Sequence, residues 1–239
     1  MGRGPSIEGR KNAEDAKRGK LFTKLIREIT VAARGGADPA TNARLRVGID
    51  KALAANMTKD TIERAVRRGS GADGADDMQE LRYEGYGPGG VALIIDAMTD
   101  NPVRTVAEVR HALSKNGGNL GTSGSVAFQF ARVGEIVVAT PDTASEDRLV
   151  EVALDAGADD VVADAGHSTV LCAPDQTEAV TAAIRGAGFA PERSDVVMRP
   201  GNRVAVDADT AETLTDLLEW LEELDDVQDV YHNADLPQT

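Results

Sequence analysis

The sequence predicts an α+β chain of three domains: a small N-terminal helical bundle, then two α/β domains, one inserted in the other. Three observations lead there. Residues 1–70 show helical periodicity and a basic charge balance; the stretch SGADGADD (70–77) has linker composition; strands and helices alternate after it. The chain has 239 residues, enough for more than one core, and its 41% hydrophobic content fits globular structure.

The first helix is expected from about Asn12 to Arg34, uninterrupted by proline and stopped by Gly35-Gly36. At 100° per residue, Leu21, Phe22, Leu25, Ile26, Ile29, Ala32 and Ala33 share one broad arc, while Arg10, Lys17, Lys20, Lys24, Arg27 and Arg34 share the opposite one. Arg18 and Val31 fall on the wrong sides. A second helix runs from about Thr41 to Ala55, with Leu45, Ile49 and Leu53 at i, i+4 spacing. A third opens at Thr58 as N-cap and ends at a Gly69 stop, with Arg64, Arg67 and Arg68 in its last turn.

After the linker, 81–86 and 91–98 read as strands about the glycine-rich GYGPGG turn. Asn101-Pro102 opens a helix, an N-cap followed by proline, that ends at Gly117-Gly118. Residues 125–130 (SVAFQF) alternate as a half-buried strand. Next comes an internal echo, two helix–Ala-Gly–strand units in βαβ-βαβ order (132–199), which reads as a ferredoxin-like split βαβ domain. A strand at 203–206 follows, then a helix with a capping box from Asp209 to Glu212 and leucines 214, 217, 218, 221 and 224 on one face, and VQDVYH as a closing strand. Counting elements pairs 79–131 with 200–239 as a discontinuous second ferredoxin-like domain, with 1–78 as the helical domain.

Net charge is −14, but it is segregated. Residues 1–70 hold sixteen Lys/Arg against eight Asp/Glu, a net +8, leaving −22 on the remainder. Such asymmetry suggests a polyanion-binding head on an acidic body. The basic stripe of the first helix reads either as a phosphate-binding face or as a solvated charged one. On the helix after Asn101, Arg104, His111 and Lys115 share a face. The loop 116–125 that follows is rich in glycine and hydroxyl groups, suited to phosphate contacts or simply flexible. The GYGPGG turn lacks the lysine and following helix of a nucleotide-phosphate loop.

Catalysis finds little support. His111, His167 and His232 lack metal-ligand spacing, and Cys172, the one cysteine, sits in an apolar strand pattern. No enzyme activity, cofactor, metal or small-molecule substrate is expected. With no apolar run of membrane-spanning length, no secretory signal and no disulfide, the reading is a cytoplasmic monomer that meets nucleic acid and no membrane.

The stretches DAKRGKLFTKLIREI (15–29), DKALAANMTKDTIERAVRRG (50–69), YEGYGPGGVALI (83–94), NPVRTVAEVRHALSKNGGNLGTSGSVAF (101–128) and DDVQDVYHN (225–233) resemble the YebC family of transcriptional regulators, which includes a mitochondrial translational activator. The resemblance implies the same three-domain architecture and either of two functions, a DNA-binding transcriptional regulator or a ribosome-associated factor that contacts ribosomal RNA and relieves stalled synthesis. It places Lys17, Arg18, Lys20, Lys24 and Arg27 in the family's basic helix, beside Arg10 and Lys11. It places Arg104, Arg110, His111 and Lys115 in a second basic segment. Neither a helix-turn-helix spacing nor a set of side chains suited to base readout accompanies them.

Overall fold

The protein is described by a computed structural model over residues 7–74 and 77–236, with side chains of the first helix described from residue 16. In chain order the elements are α1 (Ile7–Ala33), α2 (Ala43–Ala54), α3 (Lys59–Gly69), β1 (Gln79–Tyr86), β2 (Ala92–Thr99), α4 (Pro102–Lys115) and β3 (Asn119–Leu120). There follow β4 (Phe130–Ala139), α5 (Thr143–Asp155), β5 (Asp160–Asp164), β6 (His167–Cys172), α6 (Thr177–Gly186) and β7 (Pro191–Pro200). The last are β8 (Val204–Ala205), α7 (Ala208–Glu223), β9 (Val227–His232) and β10 (Ala234–Asp235).

These elements form two compact units. One holds the chain up to Ser123 together with Val206–Val230; the other holds Gly124–Ala205 and Tyr231–Leu236. The second unit therefore interrupts the first in sequence.

In the first unit α1, α2 and α3 close around Leu25, Ile29, Ala32, Leu45, Ala52, Met57, Ile62 and Ala65. The cap of α2 is Asn42, whose carbonyl oxygen accepts from the Leu45 amide while its amide donates to the Ala32 and Gly36 carbonyls at 2.7 and 2.8 Å. One side chain thus starts α2 and ties it to the end of α1. Thr58 caps α3 as expected. Gly69 does more than end that helix: a Cβ there would lie 1.9 Å from the Thr30 carbonyl oxygen, so α3 meets α1 backbone to backbone. Val31, off the predicted apolar arc, is buried with Met78 and Met98. The helix has a second apolar contact, against the strands, that a single-arc reading cannot show.

The sheet of this unit has strand order β3-β1-β2-β9. Its β2 is buried along almost its whole length, which accounts for the unbroken apolar run VALII. Asn101 caps α4 by accepting from the Arg104 amide, with Pro102 at the first helical position. The cap of α7 is Asp207, accepting from the Thr210 amide, rather than the predicted Asp209, which lies inside the first turn. Leu214, Leu217 and Leu221 of α7 are fully buried.

The second unit is the split βαβ domain foreseen from the echo. Its strands order as β5-β6-β4-β7, every adjacent pair antiparallel, with α5 and α6 as crossovers. The repeated Ala-Gly ends of α5 and α6 are one device used twice. Gly157 and Gly188 adopt φ of +93° and +89°, and the next residue's amide bonds back to Ala153 and Ile184 respectively. Numbered along the chain, this sheet reads 2-3-1-4. The first unit's sheet has the same spatial order if β2 is taken as strand one, but its third place is filled by β1, made before all the others. It is a permuted version of the predicted arrangement.

Two predicted strands are corrected. Residues 125–130 are not a strand: a 3-10 turn spans Ala127–Gln129 and Phe128 is 79% exposed between buried Val126 and Phe130. The strand begins only at Phe130, where pairing with Pro200 starts. The segment 203–206 does not join the first unit's sheet. Its Val204–Ala205 pairs in parallel with β10.

Candidate nucleic-acid interface

The basic stripe of α1 divides along its length. Arg10 and Lys11 fall where side chains lie outside the described residues. Lys17 and Arg18 are exposed, and the Arg18 guanidinium sits 5.1 Å from the centre of the Phe22 ring. Further along, the helix turns toward acidic neighbours from the C-terminal end of α7 and the start of β9. Lys20 pairs with Glu223. The Lys24 ammonium donates to the Gln228 carbonyl at 3.5 Å, and burial pushes its pKa down, opposed in part by the Asp229 and Glu222 carboxylates. Arg27 is held through one guanidinium nitrogen, which donates to the Met98 and Asp225 carbonyls at 2.8 and 2.7 Å and to the Asp226 carboxylate at 2.6 Å.

Asp226 is the centre of this junction. It is 2% exposed, and besides Arg27 it accepts from Arg104 at 2.8 and 3.0 Å and from the Thr105 hydroxyl at 2.8 Å. Burial pushes its pKa up, but the hydrogen bonds from Arg104, Thr105 and Arg27 together outweigh it, holding the carboxyl below its ordinary value. Arg104 also reaches Asp100 at 3.1 Å. Arg27 and Arg104, both expected on the nucleic-acid face, are thus joined through one buried carboxylate that ties α1 to α4. Around them is an open groove of about 530 Å³ lined by Arg27, Asp100, Arg104, Glu108, Glu223 and Asp225, among others. Carboxylates dominate that lining, which does not suit a polyanion.

The rest of the second basic segment faces outward. Arg110, His111 and Lys115 are exposed on α4, and His111 packs edge-on against Trp220 of α7, with ring centroids 5.5 Å apart. The loop after α4 is anchored rather than loose: Gly118 donates to the Leu113 carbonyl and Gly121 to the Glu84 carbonyl, both at 2.8 Å. The GYGPGG turn is approached by the protein's own helix. At Gly89, where φ is +70°, a Cβ would lie 2.8 Å from the Thr210 side chain. On α3, Lys59, Arg64, Arg67 and Arg68 are exposed, with Arg64 beside Asp60 at 3.1 Å and Arg67 beside Asp73 at 2.7 Å.

Cys172 lies in the core of the second unit with Ile136, Val170 and Val180, and burial pushes its thiol pKa up, the opposite of a reactive thiolate. Among the described residues, no group of three or more His, Cys, Asp or Glu is placed to hold a metal, and no helix is long and apolar enough to cross a membrane. Sequence reasoning missed Asp226, Glu223 and Trp220. The first two stand in an acidic run whose members look alike by composition. Trp220 could have been found as the chain's one tryptophan, on the polar side of a leucine-faced helix.

Residues 4–72 match the TACO1/YebC protein N-terminal domain, and residues 78–234 match the TACO1/YebC second and third domain. A probable transcriptional regulatory protein of Methylococcus capsulatus is 61% identical over 235 residues, covering 98% of this chain and 94% of that one. Another, from Xanthomonas oryzae pv. oryzae, is 58% identical over 238 residues, covering 98% of each. The crystal structure of a conserved hypothetical protein from Aquifex aeolicus superposes with a TM-score of 0.85 at 44% identity, over 94% of this chain and 93% of that one.

Proposed function

Since the chain belongs to the TACO1/YebC family, we propose that it is a non-enzymatic, nucleic-acid-binding regulator of gene expression, a transcriptional regulatory protein that acts on DNA as a monomer in the cytoplasm. The relatives' names support this reading, and one observation carries it: the net +8 of residues 1–70 on a chain of −14. Lys17 and Arg18 of α1 and Lys59, Arg64, Arg67 and Arg68 of α3 hold exposed cations in that segment. The ion pairs of Arg64 and Arg67 do not count against them, because exposed pairs are weak and exchange readily for phosphate. Arg110 and Lys115 extend the same chemistry onto α4. Arg27 and Arg104 act in this reading as supports, holding α1 and α4 together.

Each cation that neutralises a phosphate releases condensed counterions, so duplex affinity should fall steeply with salt. The test is fluorescence anisotropy with a labelled DNA duplex over a salt series, on the wild-type chain and on Lys17→Glu/Arg18→Glu. The variant is expected to bind at least tenfold more weakly, with a salt slope shallower by about 2. Unchanged affinity and slope would remove the basic head from the function. Parallel co-sedimentation with ribosomes separates the targets: association persisting at salt that abolishes duplex binding would replace DNA with ribosomal RNA as the partner.

A further inference from the structure

The basic stripe of α1 already faces anions before any nucleic acid arrives. They come from one acidic segment of the same unit, the C-terminal end of α7 and the turn into β9 (219–229), which carries Glu219, Glu222, Glu223, Asp225, Asp226 and Asp229. Its contacts with α1 are of two kinds. Arg27 and Asp226 have side chains 15% and 2% exposed, a largely buried pair in which the guanidinium also donates to the Met98 and Asp225 carbonyls. Lys20 and Glu223 are 35% and 66% exposed, a pair that water and salt reach freely. The first kind holds the fold together. The second is held only by the modest attraction of a solvated ion pair.

We infer that Glu223 is an internal competitor for the polyanion: its carboxylate occupies the place on Lys20 that a phosphate takes when nucleic acid binds. This inference rests on the proposed nucleic-acid role of α1 and deepens it. A competing carboxylate at this point lowers affinity for every polyanion, and it does so most for those of low charge density. A duplex presents one negative charge per roughly 1.7 Å of its axis and can displace one exposed carboxylate. An isolated phosphate or a sparse acidic peptide cannot. The acidic segment therefore sets a threshold: it keeps α1 from binding adventitious anions and leaves it open to a true polyelectrolyte. The buried Arg27–Asp226 pair stays closed throughout, so the exchange needs no rearrangement of the unit.

The experiment is a double-mutant cycle read by anisotropy with a labelled DNA duplex at low salt. Four chains are compared, wild type, Glu223→Gln, Lys20→Gln and the double variant, with Glu219→Gln as a control of equal net charge on the same helix. Glu223→Gln is expected to tighten binding by about two- to fivefold, the range of an exposed pair, and clearly more than Glu219→Gln does. Lys20→Gln is expected to weaken binding, and in its background Glu223→Gln should give no gain beyond that of the control. Equal tightening by the two glutamate variants would reduce the effect to net charge and overturn the inference. So would a Glu223→Gln gain that survives in the Lys20→Gln background. If wild type itself shows no salt-dependent duplex binding, the functional reading fails first and the inference with it; if wild type binds and only the cycle is flat, the inference alone fails.

Discussion

Both units bury a carboxylate beneath two arginines, yet the two clusters have different consequences. In the second unit Glu135 of β4, 9% exposed, accepts from Arg193 and Arg199, both on the neighbouring strand β7. The register of β4 on β7 already places those residues beside one another, with Arg193 opposite Val137 and Arg199 opposite Ala131. The backbone ladder fixes the geometry and the charges decorate it. In the first unit Asp226 gathers Arg27 and Arg104 from helices 199 and 122 residues away, and no ladder brings those helices together. There the β2–β9 contact, in which Met98 donates to the Asp226 carbonyl, brings the carboxylate to the start of α4, and the polar cluster then ties in α1, which no ladder reaches. A buried charged cluster therefore matters in proportion to what else holds its members in place.

Mutation separates the two clusters, and the chain offers a convenient reporter because its single tryptophan, Trp220, belongs to the first unit. Asp226→Asn should have the largest effect. Removing one partner of a buried pair leaves Arg27 without its counter-charge, a loss of about 3 kcal/mol, and the tryptophan-fluorescence midpoint in urea should fall accordingly. A midpoint within error of wild type would mean that α1 is held by its apolar contacts alone. Gly69→Ala comes next: the added methyl meets the Thr30 carbonyl, and relief requires α3 to move off α1, at about 2 kcal/mol. Glu135→Gln should cost only about 1 kcal/mol, since Arg193 is 55% exposed and the strands remain paired, and should leave the Trp220 transition unmoved. A shift in the Trp220 transition equal to that of Asp226→Asn would make the two clusters equivalent.

Acid sharpens the contrast further. Asp226 is held below its ordinary value in the folded chain, where burial raises it but Arg104, Thr105 and Arg27 overcome that rise. Its contribution is complete above the unfolded aspartate value near 4 and is lost as pH falls through the lower folded value. Thermal midpoints followed from about pH 5 down to 2 should fall in wild type and fall less steeply in Asp226→Asn. The capping aspartates Asp142 and Asp207 are also held low, by hydrogen bonds to Ser145 and Thr210 respectively, so some of the acid limb persists in that variant. An identical acid limb in the two chains would exclude Asp226 as a source of the pH dependence.

How much of this was legible beforehand depended on the range of the interaction. Thr58 and Asn101 announced their helices because a cap is read from the few residues that follow it. The Ala-Gly echo announced the inserted domain for the same reason. Period-2 alternation misled at 125–130, where the chain turns once and exposes Phe128. Val31 looked misplaced because periodicity assumes a single apolar neighbour, whereas α1 has two. Among the candidate site residues, the stripe on α1 was visible, but its partners were not. Nothing local distinguishes Asp226 from Asp225, one buried and one exposed, until Arg27 and Arg104 are brought to it. Strand pairing is legible within the insertion and illegible across it, and nothing local shows that Val204–Ala205 pairs with β10.

The interruption of the first unit also fixes an order of events on the ribosome. Arg27 and Arg104 are synthesised before Gly124, and their shared carboxylate only after Ala205, so Gly124–Ala205, the larger part of the second unit, emerges in between. At a synthesis pace of about 5–20 residues per second, that interval lasts several seconds. Throughout it Lys20, Lys24 and Arg27 of α1 lack the carboxylates that α7 and β9 later bring to them, beside a hairpin still waiting for β9. The inserted unit, with its sheet complete in itself, has time to fold first. The basic face of α1 is thus most open to the RNA around it before its own acidic segment has been made.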